Sequence, residues 1–253
     1  MTDYLIVHDV GQGAWFWNQV WGSVTAPTEH PPQLHTPRYA SQFHLLNLPG
    51  HGSDEEGDTS DVRFDECVQA IARTVDRRDM RDLVLVGHGV GGMIALQAAT
   101  ALPSPPRRLA LVAGVIPESD RAPISRFPAS VRKHFSKGLS WAKLVGKDTR
   151  LPRSAVAKYL CNGMDPSDVT RALGYFGPLP TRLMETGVSL SLSEIPCPVS
   201  YVVLDRDRLL NPSIQIAMAR LVPDVELLHL DSCHQASLHL PAELGQLILA
   251  LPR

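Results

Sequence analysis

None of the four cysteines, Cys67, Cys161, Cys197 and Cys233, belongs to a C-x-x-C pair, so the chain offers neither a zinc knuckle nor a thiol-disulfide motif. They read as buried thiols in a reducing compartment. An excess of one charge is lacking too: 24 Lys and Arg stand against 26 Asp and Glu, a formal net charge of -2. That balance gives no electrostatic reason to expect nucleic acid or an anionic membrane as partner. A small, mostly apolar organic molecule fits better, acted on by a monomer or homodimer. The opening MTDYLIVHDVG enters a strand pattern at once, with no basic region, long apolar stretch or cleavage site of a signal peptide, so a cytoplasmic location is expected. The sequence shows no metal-ligand cluster, internal repeat or low-complexity tract, and no metal or cofactor is expected.

What is present is the alternation of an α/β domain. The chain has 253 residues, 44% of them hydrophobic, which is ample for a sizeable core. Short apolar runs bounded by turn residues predict strands at Tyr4–Val7, Phe43–Leu48, Leu83–Val86, Leu109–Ala113, Val199–Leu204 and Val225–Leu230. Helical spacing lies between several of them, in Phe64–Asp76, Met93–Thr100, Ile214–Leu221 and Ala242–Leu251. This order implies a mostly parallel sheet covered on both faces. Two stretches break the rhythm. Ala26–Gln42 has four prolines and no apolar period, so it reads as a surface loop. Residues 116–193 are helical and irregular, rich in Pro, Arg, Lys and Ser, and read as a cap inserted into a core of residues 1–115 and 194–253.

The segment GHGVGG, Gly87 to Gly92, fits two motifs. It matches the G-x-G-x-x-G of a dinucleotide-binding turn. Its first five residues also match the G-x-S-x-G nucleophile elbow, with Gly89 in place of the serine. A dinucleotide turn belongs to the first βαβ unit, with an acidic residue at the end of the next strand to hold the ribose. Here two strands precede the glycines, and the following RLALVAGV ends without an acid. The nucleotide reading is therefore weak.

Four further motifs carry a resemblance. VHDVGQGAWFW (Val7–Trp17), LPGHGSD (Leu48–Asp54), YVVLDRDRLLNP (Tyr201–Pro212) and DSCHQASLHLP (Asp231–Pro241) follow one another as in the α/β-hydrolase fold superfamily. Within it they resemble the branch of plant hydroxynitrile lyases and methyl-ester esterases, over nearly the whole chain. The resemblance implies an acid at Asp207, favoured over Asp205 by its D-R-x-L context, and a base at His234. It also implies an oxyanion hole formed by the backbone N–H groups of Val10 and Val90.

Two positions depart from that pattern. Gly89 has no side-chain atom, so no acyl-enzyme can form there. Asp9 stands where the first-strand motif has glycine; its carboxylate is either a second acid/base group facing inward or a side chain turned away and bonded to backbone. The two changes together, with Cys233 where the branch has glycine, favour divergence over an engineered loss of one serine. The expected function is non-covalent acid/base chemistry of lyase, cyclase, isomerase or dehydratase type, with His234, Asp207 and Asp9 as the catalytic set. The alternatives are a hydrolase whose natural residue 89 is serine or which activates water directly, and a ligand-binding protein without chemistry. His88, Trp141, Tyr159 and Tyr175 are candidate substrate contacts, with Leu160 and Phe176 beside them, while Trp15 and Trp17 read as space-filling. Asp165 before Pro166 reads as a helix N-cap.

Overall fold

The structure is a computed structural model that describes residues 2–25, 41–52, 59–133 and 150–251. Six strands, β1 (Thr2–Val7), β2 (Ser41–Leu46), β3 (Leu83–His88), β4 (Arg108–Val112), β5 (Val199–Leu204) and β6 (Glu226–Leu230), form one sheet in the order β2-β1-β3-β4-β5-β6. Every pairing is parallel. Every residue of β3 and of β5 is buried, as strands covered on both faces must be. The order reverses at β1, which lies between β2 and β3, and ligand-binding groups in such sheets gather at the carboxyl ends of the strands near that reversal.

Strand β2 starts at Ser41, so Ser41 and Gln42 leave the expected loop, and Asn47 and Leu48 fall outside the strand. The cause is pairing: Thr2 and Asp3 of β1 stand opposite Ser41 and Gln42, and backbone partners outweigh the polar side chains. The remainder of that loop, residues 26–40, lies outside the described residues. The helix predicted from Met93 begins at Val90 and runs to Ala101. Gly91 and Gly92 belong to its first turn because it lies against the sheet. A Cβ on Gly91 would meet the His8 carbonyl oxygen at 2.2 Å, and one on Gly92 would meet Gly114 Cα at 2.7 Å. The glycine run thus provides close helix–strand packing.

Between β4 and β5 the described residues carry no strand of the sheet. They hold a short helical turn (Arg153–Ala155) continuing into π-helical Val156–Leu160, then the helices Pro166–Tyr175 and Thr181–Glu185. Asp165 occupies the N-cap position of the first of these helices, but its side chain makes no capping hydrogen bond. Pro166 at the first helical position, with φ already fixed, starts the helix instead. Among the described residues, no helix is long and apolar enough to cross a membrane, and no group of three or more His, Cys, Asp or Glu is placed to hold a metal ion.

Candidate active site

Four strand ends converge. Asp9 lies two residues beyond β1, Gly89 directly follows β3, Asp207 follows β5, and His234 follows β6. The turn holding Asp207 is built by its own carboxylate. Its Oδ1 accepts the backbone N–H groups of Leu209 (2.7 Å) and Leu210 (3.0 Å), and its Oδ2 accepts from His234 Nδ1 at 2.7 Å. Asp205, the neighbouring acid, faces away: its Oδ1 lies 2.8 Å from Nδ1 of the exposed His229. The loop carrying His234 is tied to the β5 turn, because Arg206 N–H donates to the Ser232 carbonyl (2.9 Å) and the Arg206 guanidinium pairs with Asp231.

Gly89 keeps the backbone of an elbow, with φ 54° and ψ -126°, a region that residues with a Cβ reach only under strain. The Asp9 side chain fills the space beside it. A Cβ on Gly89 would lie 2.3 Å from Asp9 Cγ, closer than any two such atoms can stand.

The Asp9 carboxylate turns inward and also bonds to backbone, combining the two orientations the sequence left open. Its Oδ1 accepts the N–H of Val10 at 2.8 Å and the N–H of Val90 at 2.7 Å. Its Oδ2 accepts from His234 Nε2 at 3.1 Å. The two amides expected to form an oxyanion hole therefore already bind an anion, and it belongs to the protein. His234 is fully buried between two carboxylates, with Asp9 itself only 4% exposed.

Burial alone disfavours the charged imidazole, but the charges and hydrogen bonds of Asp207 and Asp9 outweigh it and raise the His234 pKa to about 10. Burial pushes the Asp9 carboxyl up, and the hydrogen bond and charge of His234 reverse that, leaving it below the ordinary value. At neutral pH His234 is therefore held as an imidazolium between the Asp9 and Asp207 side chains. The flanking histidines are neutral: burial drives both His8 and His88 down to about 3. His88 Nε2 donates to the His234 carbonyl at 3.0 Å, and its ring lies 4.7 Å from the His234 ring. It braces the loop of His234 through that hydrogen bond. His8 Nδ1 donates to the Asp9 carbonyl (2.7 Å) while its Nε2 accepts from Leu48 N–H (3.1 Å), linking the ends of β1 and β2.

The other expected contacts divide. Trp141 lies outside the described residues. Tyr175 is 55% exposed and stacks on Trp15 with ring centres 3.9 Å apart; the apolar faces of both rings cover each other at the surface. Tyr159 is half-buried with Lys158 over its ring. Leu160 comes near the centre through its backbone, its carbonyl accepting Gln235 N–H at 3.1 Å. Phe176 packs edge-on to Phe16, with ring centres 5.3 Å apart. Trp17 is buried, edge-on to His88.

Sequence reasoning missed three glutamines. Gln215 Nε2 donates to Asp207 Oδ2 (3.2 Å) and to the carbonyls of Leu204 (3.2 Å) and Leu210 (2.6 Å), and its Oε1 accepts Leu204 N–H (2.9 Å). A lone amide among the Ile, Ala and Met positions of a short helix was the available signal. Gln12 and Gln235, which lie near Asp9 and His234 in the chain, are buried with side-chain amides lacking any hydrogen-bond partner among the described residues.

With that geometry in hand, known proteins give a consistent picture. The sequence profile of the Alpha/beta hydrolase family matches residues 4–244. A pimeloyl-[acyl-carrier protein] methyl ester esterase of Stenotrophomonas maltophilia is 42% identical over 78 residues, covering 30% of this chain and 27% of that protein. A putative esterase/lipase of Mycoplasma genitalium is 30% identical over 71 residues, covering 28% of this chain and 26% of that protein. The matched stretches thus span about a quarter of these relatives. An extracellular alpha/beta-hydrolase from a Paenibacillus species superposes with a TM-score of 0.82 at 16% identity, covering 98% of both chains. Polyneuridine aldehyde esterase superposes at 0.76 with 13% identity and full coverage of both chains. At such identities these superpositions show the fold.

Proposed function

The chain belongs to the alpha/beta hydrolase family, and from that premise we propose that it is a serine-independent acid/base enzyme acting on a small organic substrate. The observation carrying this reading is the double engagement of Asp9. One oxygen accepts hydrogen bonds from the Val10 and Val90 N–H groups, and the other faces His234. A substrate carbonyl has no free donor pair there, and residue 89 supplies no nucleophile.

What the centre retains is a proton donor and a proton acceptor side by side. With its pKa near 10, His234 is an acid at neutral pH and cannot serve as the free base. Asp9 Oδ2 is the acceptor, and Asp207 holds the imidazolium by Nδ1. Such a pair suits reactions that remove one proton and deliver another on the same face of a substrate: elimination, isomerisation or cleavage next to a carbonyl. Positioned acid/base groups contribute about 10²–10⁴ in rate. The expectation is turnover of β-hydroxy carbonyl compounds or cyanohydrins by wild type and loss of at least about 10²-fold in Asp9→Asn and in His234→Gln. A His234-dependent burst of nitrophenol from a nitrophenyl ester would overturn it.

Ester hydrolysis is the second reading, favoured by the 42% identity over 78 residues to a methyl ester esterase. It requires water, activated at the Asp9–His234 pair, to attack the ester directly. Label from ¹⁸O-water in the product acid, with no acyl-enzyme at any time, is its signature.

A further inference from the structure

We propose that Gln12 and Gln235 are the recognition groups of this centre and that they select a neutral substrate with an N–H beside a carbonyl on one edge together with a hydroxyl, a β-hydroxy lactam being the simplest. The proposal rests on the reading that a substrate is processed at the Asp9–His234 pair, and it deepens that reading by naming the substrate's chemical class.

A contrast among three buried glutamines carries it. Gln215 is 0% exposed, and its amide makes four hydrogen bonds. Gln12 at 2% and Gln235 at 0% are buried as completely, yet Nε2 and Oε1 of both lack any partner among the described residues. Buried polar groups are bonded as a rule, because an unmade bond forfeits hydration with nothing in return. Gln215 is satisfied by its own protein; the other two are left open for a ligand.

Their placement sets them beside the proton-transferring pair, where the segment between β4 and β5 meets the sheet. Gln12 lies just beyond Asp9, its N–H on the Asp9 carbonyl at 3.3 Å, and its neighbour Gly11 accepts the Gly177 N–H at 2.8 Å. Gln235 directly follows His234, and its N–H donates to the Leu160 carbonyl at 3.1 Å. The Ala14–Trp17 turn after Gln12 packs against the Ala236–His239 helix after Gln235. The two unbonded amides are therefore carried by segments that meet.

A primary amide offers two donors and an acceptor. An ester or lactone brings acceptors only and would leave both Oε1 atoms unbonded. A cis-amide edge pairs with one glutamine through two bonds, its N–H to Oε1 and its carbonyl to Nε2, and a hydroxyl, which donates and accepts, suits the other. A carboxylate is disfavoured, because it has no donor and would face Asp9 with the flanking His8 and His88 neutral. In a β-hydroxy lactam, Asp9 takes the proton from the carbon between the carbonyl and the carbinol. The C–O bond breaks as His234 protonates the leaving hydroxyl, giving unsaturated lactam and water, and the proton on Asp9 returns to His234.

The test titrates the full chain, by NMR, with 2-pyrrolidinone, which has the lactam edge and no leaving group, and with γ-butyrolactone, the same ring with oxygen in place of N–H. Wild type is expected to bind the lactam at least about tenfold more tightly. That preference should vanish in Gln12→Leu/Gln235→Leu, while each single variant keeps or raises the melting temperature, opposite to Gln215→Leu, because it removes an unbonded amide. Equal affinity for the two rings, no saturable binding of either, a preference that survives the double variant, or a lowered melting temperature in both single variants overturns the proposal. Lactam selectivity without elimination of 4-hydroxy-2-pyrrolidinone overturns the proton-transfer reading and keeps this one. Elimination that is lost in Asp9→Asn but indifferent to both glutamines keeps that reading and overturns this one.

Discussion

The carboxylate of Asp9 occupies the volume that any side chain on Gly89 would need: a Cβ there would meet the Asp9 oxygens at 2.4 and 2.5 Å as well as Cγ. The two residues are one structural unit, although 79 residues separate them in the chain and two strands carry them.

That coupling sets the outcome of restoring the serine. Gly89→Ser alone must displace Asp9 and hold a Cβ at φ 54°, so it should lose roughly 2–4 kcal/mol in urea unfolding and gain no esterase activity. Asp9→Gly combined with Gly89→Ser frees both amides and the space, and should recover stability relative to the single variant. Ester hydrolysis is expected only in the double variant, and equal activity in Gly89→Ser alone would show that Asp9 is not the obstacle.

Stability should peak near neutral pH. His234 binds its proton more tightly folded than unfolded, so its contribution is complete below about 6.5 and is lost as pH rises toward 10. While it alone titrates, each pH unit costs about 1.4 kcal/mol. His8 and His88 act oppositely: neutral in the fold down to about 3, they lose stability as pH falls below 6.5, where the unfolded chain binds protons. Urea unfolding at pH 5, 7 and 9 should therefore place pH 7 highest. The fall from 7 to 9, which precedes the main titration of the buried thiols, should shrink in Asp9→Asn. A flat profile across that range would show that His234 is not held charged.

Gln215 acts at one remove, as a positioning residue. Gln215→Leu strips a donor from Asp207 and leaves the Leu204 N–H and the Leu204 and Leu210 carbonyls without their amide partner. A loss of about 2–4 kcal/mol is expected. A downfield imidazole proton of His234 at its bond to Asp207 should also shift in NMR, which a packing defect elsewhere would not cause. Gln215→Glu should restore neither, since it sets a second carboxylate against Asp207 and supplies no amide donor.

Much of this was readable from sequence because strong patterns agree with tertiary demands. Val199–Leu204 is apolar but for Ser200 and matches β5 residue for residue, since a strand buried on both faces reads as a nearly continuous apolar run. Asp207 and His234 were recognisable from motif context. The direction of Asp9 was not, because it depends on the spacing of two amides supplied by separate elements. Gln215 was obscured for a similar reason: its four bonds run to a strand end and a turn rather than to its own helix neighbours. The aromatic side chains of the 116–193 segment carry less information, because an aromatic ring covers surface, as Tyr175 does over Trp15, as readily as it lines a pocket.

The close approach of Gly91 to the His8 carbonyl bears on how the anion clamp is tuned. Val10 and Val90 present their amides from two pieces of main chain that touch with no side chain between them. The gap between those amides is therefore gauged by backbone against backbone. Repacking the surrounding apolar core leaves that gauge unchanged, and variation around this centre can alter what enters while the grip on Oδ1 stays constant.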